Sequence, residues 1–514
     1  MNPITFLTQL FTGAPSPVPA FRDQAPAPAY EGASQGRRAL AWQAPTVGAN
    51  DGVLPALSTL RNRSRAAVRN DGYARAVVDR LVSNIVGTGI APQPQAPDAA
   101  FRDRVQQAWL RWTDEADASG RLDFYGLQAL AVRGWLESGE VFVRVRSRLA
   151  ADGLSVPLQL ELLEPEFCPV EYNTTTAEGN HVRAGIEFDA IGRRVAYWFY
   201  RRHPGSLQDL DTSQLVRLPA SDAFVRERVL HIYEPLRPGQ IRGTPQLSQA
   251  LIRLRDLDLY CDATLLRQQL ANMFVGFLIP GGALTDSTTD FTGRPIQRDA
   301  EGAGVVGLEP GLFHELRPGE DVKFAEPPEA QGFGEFVRAQ LMAASVAADV
   351  PYEVLTGDLR DVSDRTVRVI LHEFRRRVEQ RQHHIVAYQF CRPVWDAWFT
   401  HAILSGAIPL PAGYDRDPAP WQRVEWVPPT WPYLHPTQDV EAERAMVRSG
   451  FKSRTQVAKE RGYDVEQIDR EIAADNARAD RLGLVLESDP RRTRVGAPPT
   501  DTETTDPKRR GVTK

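Results

Sequence analysis

Apolar residues recur along this chain in two rhythms, and the change from one to the other marks its regions. Over residues 54–86 the three- and four-residue step of an α-helix holds, broken at Asn70-Asp71-Gly72 and stopped by Gly87. Residues 101–112 and Phe124–Ser138 repeat that step. Two-residue alternation follows. Val141, Val143 and Val145 alternate with Phe142, Arg144 and Arg146, and Leu158, Leu160 and Leu162 with Gln159 and Glu161. Residues 186–189 and 195–199 flank the turn Ala190-Ile191-Gly192 as a hairpin, and Val229–Tyr233 is expected to close the same sheet.

The helical rhythm then returns. Thr244-Pro245 is a cap followed by a first-turn proline, and Leu247, Leu251, Leu254, Leu257, Cys261 and Leu265 form a stripe to about residue 277. A polar insert over 285–329 holds one short apolar strand, Gly304-Val305-Val306-Gly307. Phe333, Val337, Leu341, Ala344 and Ala348 share a helical face, thinned by Ala343, Ala344, Ala347 and Ala348 so that another helix can approach closely. Pro351 ends that pattern. Residues 352–363 read as a polar turn, and Ser363 caps a longer helix whose stripe is Val367, Leu371, Phe374, Val378, Ile385 and Tyr388. Arg375, Arg376, Arg377 and Arg381 crowd its other surface, as a solvated face, a subunit contact or a DNA contact. The pattern fits a plain helical hairpin in a larger core, or two helices presenting a loop to a partner. Pro393 falls inside the second helix, where it either bends one helix or joins two.

Composition narrows the picture modestly. At 514 residues the chain is long for one core, and 25% charged with 42% hydrophobic residues is ordinary for a globular protein. A net charge of −5 argues against tight general nucleic-acid binding. Cys168, Cys261 and Cys391 lie far apart, so neither disulfides nor a cysteine-ligated zinc are expected. No run reaches the ~18 apolar residues of a membrane span. Residues 1–52, rich in proline and alanine, read as a disordered or loose arm, and 487–514 as a flexible tail.

Several pieces together resemble the lambda-like portal proteins of tailed bacteriophages over roughly residues 54–486. They are Arg63-Ser64-Arg65-Ala66-Ala67-Val68-Arg69-Asn70, Leu81-Val82-Ser83-Asn84-Ile85-Val86-Gly87-Thr88-Gly89-Ile90, Ser138-Gly139-Glu140-Val141-Phe142, Arg242-Gly243-Thr244-Pro245 and Val350-Pro351-Tyr352-Glu353. The resemblance implies a mostly helical α+β fold with a small antiparallel β region. Its regions would be a wing (53–244), a wing or stem helix (245–279), a clip (280–331) and a second stem helix (332–349). A tunnel loop (350–363), a long bent wing helix with its return segment (364–435) and a helical crown (436–486) would follow. It also implies a ring, a dodecamer, at one capsid vertex of the virion, assembled in the host cytoplasm, for packaging and ejecting double-stranded DNA. Partners would be the terminase, the major capsid and scaffold proteins, and the head-completion adaptors, with no membrane. The loop residues Thr356, Gly357, Asp358, Leu359, Arg360, Asp361 and Ser363 would line the channel, and Pro393 would be the bend. Another ring-forming virion component, of tail or baseplate, is the alternative.

Catalytic patterns are weak. No G-x-x-x-x-G-K-[ST] phosphate loop occurs, and Gly450-Phe451-Lys452-Ser453 lacks the earlier glycine. Gly32-Ala33-Ser34-Gln35-Gly36 matches a nucleophile elbow but lies in the arm with no strand before it. His372-Glu373 starts like a zinc-protease helix, but Arg376 stands where the second histidine belongs. His383 and His384 read as solvated, and Glu353, Asp358 and Asp361 as a solvated turn rather than a metal set. No catalytic residue, metal or cofactor is expected. Trp421, Trp426 and Trp431 read as core or interface rather than as a platform for bases.

Overall fold

The computed structural model describes residues 44–206, 214–222, 225–273, 332–360, 362–431 and 435–484, with four two-residue strands between 277 and 315. Residues 1–43 of the expected arm, with its elbow-like motif, most of the clip, the C-terminal tail and Asp361 lie outside the described residues, whereas residues 49–52, counted in the arm, open the first helix.

Four helices come first: α1 (Ala49–Asn70), α2 (Gly72–Ile85), α3 (Ala99–Thr113) and α4 (Phe124–Ser138). Asp71 separates the first two and caps the second, its carboxylate accepting the Tyr73 and Ala74 N–H groups. Asp98 and Asp123 cap α3 and α4 in the same way. The alternating segments form two sheets where one was expected. β2 (Glu140–Ser147) lies between β3 (Leu158–Leu163) and β9 (Val229–Tyr233), antiparallel to both. The hairpin belongs to a separate five-stranded meander, β4 (Thr174–Thr175), β5 (His181–Arg183), β6 (Ile186–Phe188), β7 (Arg194–Tyr200) and β8 (Leu215–Pro219). β9 pairs with β2 rather than the hairpin because its five residues are all buried and need a partner covered on both faces.

A long helix, α5 (Leu251–Met273), is preceded by one 3-10 turn (Gln246–Gln249). The strands β10 (Phe277–Leu278) and β13 (His314–Glu315) pair, as do β11 (Gln297–Arg298) and β12 (Gly304–Val305), which places the expected short strand. α6 (Phe333–Ala348), α7 (Tyr352–Thr356) and α8 (Asp364–Arg381) follow. Helical geometry then continues unbroken through a ten-residue π segment (Gln382–Cys391) into α9 (Arg392–Leu404). β14 (Val424–Val427) returns to pair with β1 (Ala91–Pro94), and α10 (Pro436–Arg448), α11 (Arg454–Glu460) and α12 (Val465–Leu482) end the described chain. No helix among the described residues is long and apolar enough to cross a membrane.

The main core joins the first helices to the region around α9. Trp109, Trp112, Phe124, Trp395 and Trp398 are fully buried and meet ring to ring, Trp109 and Trp398 edge-on at 4.9 Å. Trp421, Trp426 and Trp431 pack against this cluster, as expected for core. Pro393 separates no helices. It sits in the first turn of α9, where its missing N–H is tolerated after the wider π turns. Those turns also rotate the apolar stripe. Ile385, Val386, Phe390 and Cys391 are buried, whereas Tyr388, assigned to the stripe from α-helical spacing, is 62% exposed.

Candidate functional site

The segment between α6 and α8 is built as a short anchored tip. Asp349 ends α6 with a left-handed backbone (φ 60°), and Pro351 presets the turn into α7. Residues 352–356 are helical rather than loop, because Tyr352 and Leu355 stand three apart and are both buried. Gly357 closes that turn at φ +73°, a conformation glycine adopts without strain. The Tyr352 hydroxyl donates to Asp358 Oδ2 at 3.0 Å, and Arg360 grips the same carboxylate at 2.7 and 2.8 Å. The Arg360 guanidinium holds Asp358 well below the ordinary carboxylate range. Thr356 Oγ1 donates to the Tyr352 carbonyl and accepts the Asp358 N–H. Ser363 caps α8 by accepting the Thr366 N–H, as the sequence indicated. Leu359 is 58% exposed and does not anchor the tip. Asp361 lies outside the described residues.

The four arginines singled out on α8 separate into different environments. Arg381 is buried, and with Arg377 it forms a clamp on Glu234 and Asp349 at 2.8–3.2 Å. The clamp ties the base of α8 to the end of α6 and to the residue after β9. The Arg375 guanidinium lies 5.1 Å from the Trp431 ring centre. Arg376 is left on the solvated face, 3.9 Å from Glu373. His383 and His384 are both exposed. Just beyond, the Gln389 side chain bonds both backbone groups of Tyr233 at 3.0 Å and ties the π segment to β9.

A second cluster, given no role in the sequence reading, joins two of the quoted motifs. Glu140 is fully buried at the start of β2. Its Oε1 receives Arg61 at 2.8 Å and Arg242 at 2.7 Å, and its Oε2 receives His231 Nε2 at 2.8 Å and the Gly243 N–H at 3.0 Å. Arg242, also fully buried, donates further to the carbonyls of Cys168 and Ala184. Burial pushes the Glu140 carboxyl upward, but Arg242, His231 and Arg61 override it and hold the group well below its usual range. Burial drives His231 down to about 4, so its ring stays neutral and serves as an N–H donor. Gly139 and Gly243 are in contact here, and a Cβ on Gly243 would lie 2.0 Å from the Gly139 carbonyl oxygen. One sequence signal pointed to this cluster: a glutamate and an arginine, each beside glycine, at the edge of apolar segments.

Among the described residues, Glu164, Glu166 and His203 come close enough to share a metal ion. Arg65 already holds Glu166 through two bonds of 2.9 Å, which supplies the positive charge that position calls for. The geometry gathers no nucleophile–base pair at the tip or at the Glu140 cluster.

This combination of a braced helical tip, a mixed α+β body and motifs joined at one buried carboxylate accords with the comparisons. The family profile described as phage portal protein, lambda family, matches residues 35–382. The chain belongs to that family. The probable portal protein of Halomonas phage phiHAP-1 is 25% identical over 448 residues, covering 83% of this chain and 81% of that protein. Portal protein B of Escherichia phage lambda is 20% identical over 471 residues, covering 85% and 87%. Among solved structures, a chain of the neck of a native gene transfer agent particle, computed with C12 symmetry, is 13% identical with a TM-score of 0.40, covering 80% of this chain and 94% of that one.

Proposed function

We propose that this portal protein acts by geometry rather than by chemistry. It forms a closed homo-oligomeric ring, a dodecamer, at one capsid vertex of the virion, and double-stranded DNA enters and leaves through it. The terminase docks on the ring during packaging. Capsid and scaffold proteins surround it, and head-completion proteins bind later. In this reading residues 53–244 are the wing, α5 and α6 the stem, 280–331 the clip, 364–435 the wing helix and return, and 436–486 the crown.

The observation that carries the reading is the tip between α7 and α8. Leu359 and Arg360 are exposed there, while the clamp of Arg377 and Arg381 on Asp349 and Glu234 fixes the far end of α8 against the end of α6. A solvated tip carried on a braced helix suits brief contact with a moving polyanion, and Arg360, Asp358 and Thr356 are the groups in reach. Arg376 remains a candidate for contact with DNA or a neighbour, and Pro393 the candidate bend of the wing helix.

The test replaces Asp358, Leu359, Arg360 and Asp361 together by a Gly/Ser linker. Rings seen by negative-stain microscopy should persist, because these residues support little packing, whereas DNA packaging or retention should fall. Loss of the ring would make the segment structural, and normal packaging with an intact ring would make it a mere connector. The purified chain is expected to hydrolyse neither ATP nor DNA, and turnover abolished by a point mutation in it would overturn the reading.

A further inference from the structure

The sheet of β3, β2 and β9 is covered on one face and only partly covered on the other. Val143, Val145, Leu160 and Leu230 face the main core. On the opposite face Phe142 and Val229 pack with Ile186, Tyr197 and Phe199 of the meander. Beyond Phe142 that face opens to solvent. Arg144 and Arg146 follow at two-residue steps, opposite Glu161 and Gln159 of β3, and both guanidinium groups are about a third exposed. Arg148 continues the row just past the strand, its N–H still bonded to the Pro157 carbonyl. Arg228, before β9, comes close enough to repel Arg144.

Four guanidiniums thus gather where two carboxylates answer them. Arg144 and Arg146 share Glu161 at 3.6 and 3.4 Å, and Arg228 takes Asp222 at 3.2 Å. Arg148 is held by the neutral Gln159 side chain at 2.9 Å. Four minus two leaves two positive charges without a counter-charge in the cluster. Burial pulls the Arg144 guanidinium below its ordinary value. Glu161 pulls back, and the crowding of Arg146, Arg228 and Arg148 adds to the fall. A further anion would relieve that crowding.

We propose that this face is a contact for the phosphate backbone of duplex DNA outside the channel, with Arg144, Arg146 and Arg148 at its centre. The three span about 13 Å along the strand direction, and duplex DNA carries a charge every ~1.7 Å of its axis, so several phosphates fall within reach. The occupant is nucleic acid rather than an acidic protein segment because the side chains on the open part, Arg144, Arg146, Gln159 and Glu161, are all polar. Protein partners are held chiefly by desolvated aromatic and aliphatic anchors, whereas a phosphate backbone requires only positioned positive charge. The inference rests on the portal reading, which brings DNA to the protein, and adds a contact away from the tip.

Filter binding of a closed circular duplex to preformed rings, checked by negative-stain microscopy, gives the test. A closed circle cannot thread the channel, so it reads outer surfaces alone. Wild-type rings should bind it with an affinity that falls as salt rises. Arg144→Gln, Arg146→Gln and Arg148→Gln together should lower the affinity about tenfold near 50 mM salt and reduce the slope of log affinity against log salt by about 2–3. Glu161→Gln removes the competing carboxylate and should do the reverse, tightening binding and steepening the slope by about one. Wild-type rings that leave the circle free, or variants that bind it as wild type does, would overturn the site and leave the ring reading standing. Displacement of the circle by polyglutamate at matched charge would make the face a protein contact and overturn the site as well. A chain that forms no ring would overturn the ring reading, and this inference with it.

Discussion

Glu140–Arg242 and Asp358–Arg360 are both carboxylate–guanidinium pairs closing at 2.7 Å, yet they do opposite work. The first is fully buried, with every oxygen of the carboxylate engaged and partners drawn from α1, β9 and the segment leading into α5. The second links residues two apart at a tip where the Arg360 side chain is 78% exposed. Distance therefore says little about what a pair contributes; desolvation and the number of joined elements decide it. The buried pair welds the β region to both helical halves. The exposed pair shapes a loop and leaves its surroundings unchanged.

The sharpest way to break this contrast is Glu140→Gln, which keeps the shape and removes the charge. Arg242 then loses its counter-charge and Arg61 keeps only Glu166 at 3.6 Å, and the subunit should lose about 3–5 kcal/mol, measured by urea unfolding. A loss near zero would mean water already reaches the cluster. Next in size, Gly243→Ala forces a Cβ against the Gly139 carbonyl oxygen and should cost about 1–3 kcal/mol, by the same measurement.

Acidification should separate the two regions with a smaller effect. Between pH of about 6.5 and 4 the unfolded chain binds a proton at His231 that the folded chain does not, so stability falls as pH falls through that window. Glu140 acts in the same direction at lower pH. Its contribution is complete above the ordinary carboxylate pKa and is lost as pH drops through its depressed folded-state value. His231→Gln should flatten the upper part of this decline in unfolding temperature measured against pH. A slope unchanged in that variant would assign the effect to other groups. The smallest stability effect belongs to the tip. Arg360→Ala should leave the unfolding temperature at its wild-type value while reducing DNA retention in packaged particles, and a clear fall in that temperature would show that the tip supports the fold.

What could be read from the chain alone follows from locality. Helix α4 has the bounds that the periodicity of residues 124–138 indicated, and Asp71 divides α1 from α2 where Asn70-Asp71-Gly72 interrupts the pattern. The Ser363 cap was equally legible, because caps and apolar periods depend on neighbours within about four residues. The order of motifs also pointed to the portal family, since each motif keeps its place along the chain.

Tertiary contact decided the rest. Nothing near Val229–Tyr233 says that this strand pairs with β2 and leaves the hairpin to another sheet. Spacing could not sort Arg381 from Arg376, because the difference lies in Asp349 and Glu234, which come from elsewhere in the chain. Tyr388 was misassigned because the π turns that rotate it outward follow from packing against β9 and the tryptophan core. Glu140 is the clearest case. A glutamate opening a strand reads as a solvated edge until Arg61, His231 and Arg242 close on it, and only a chain already folded brings those four residues together in a site from which water is excluded.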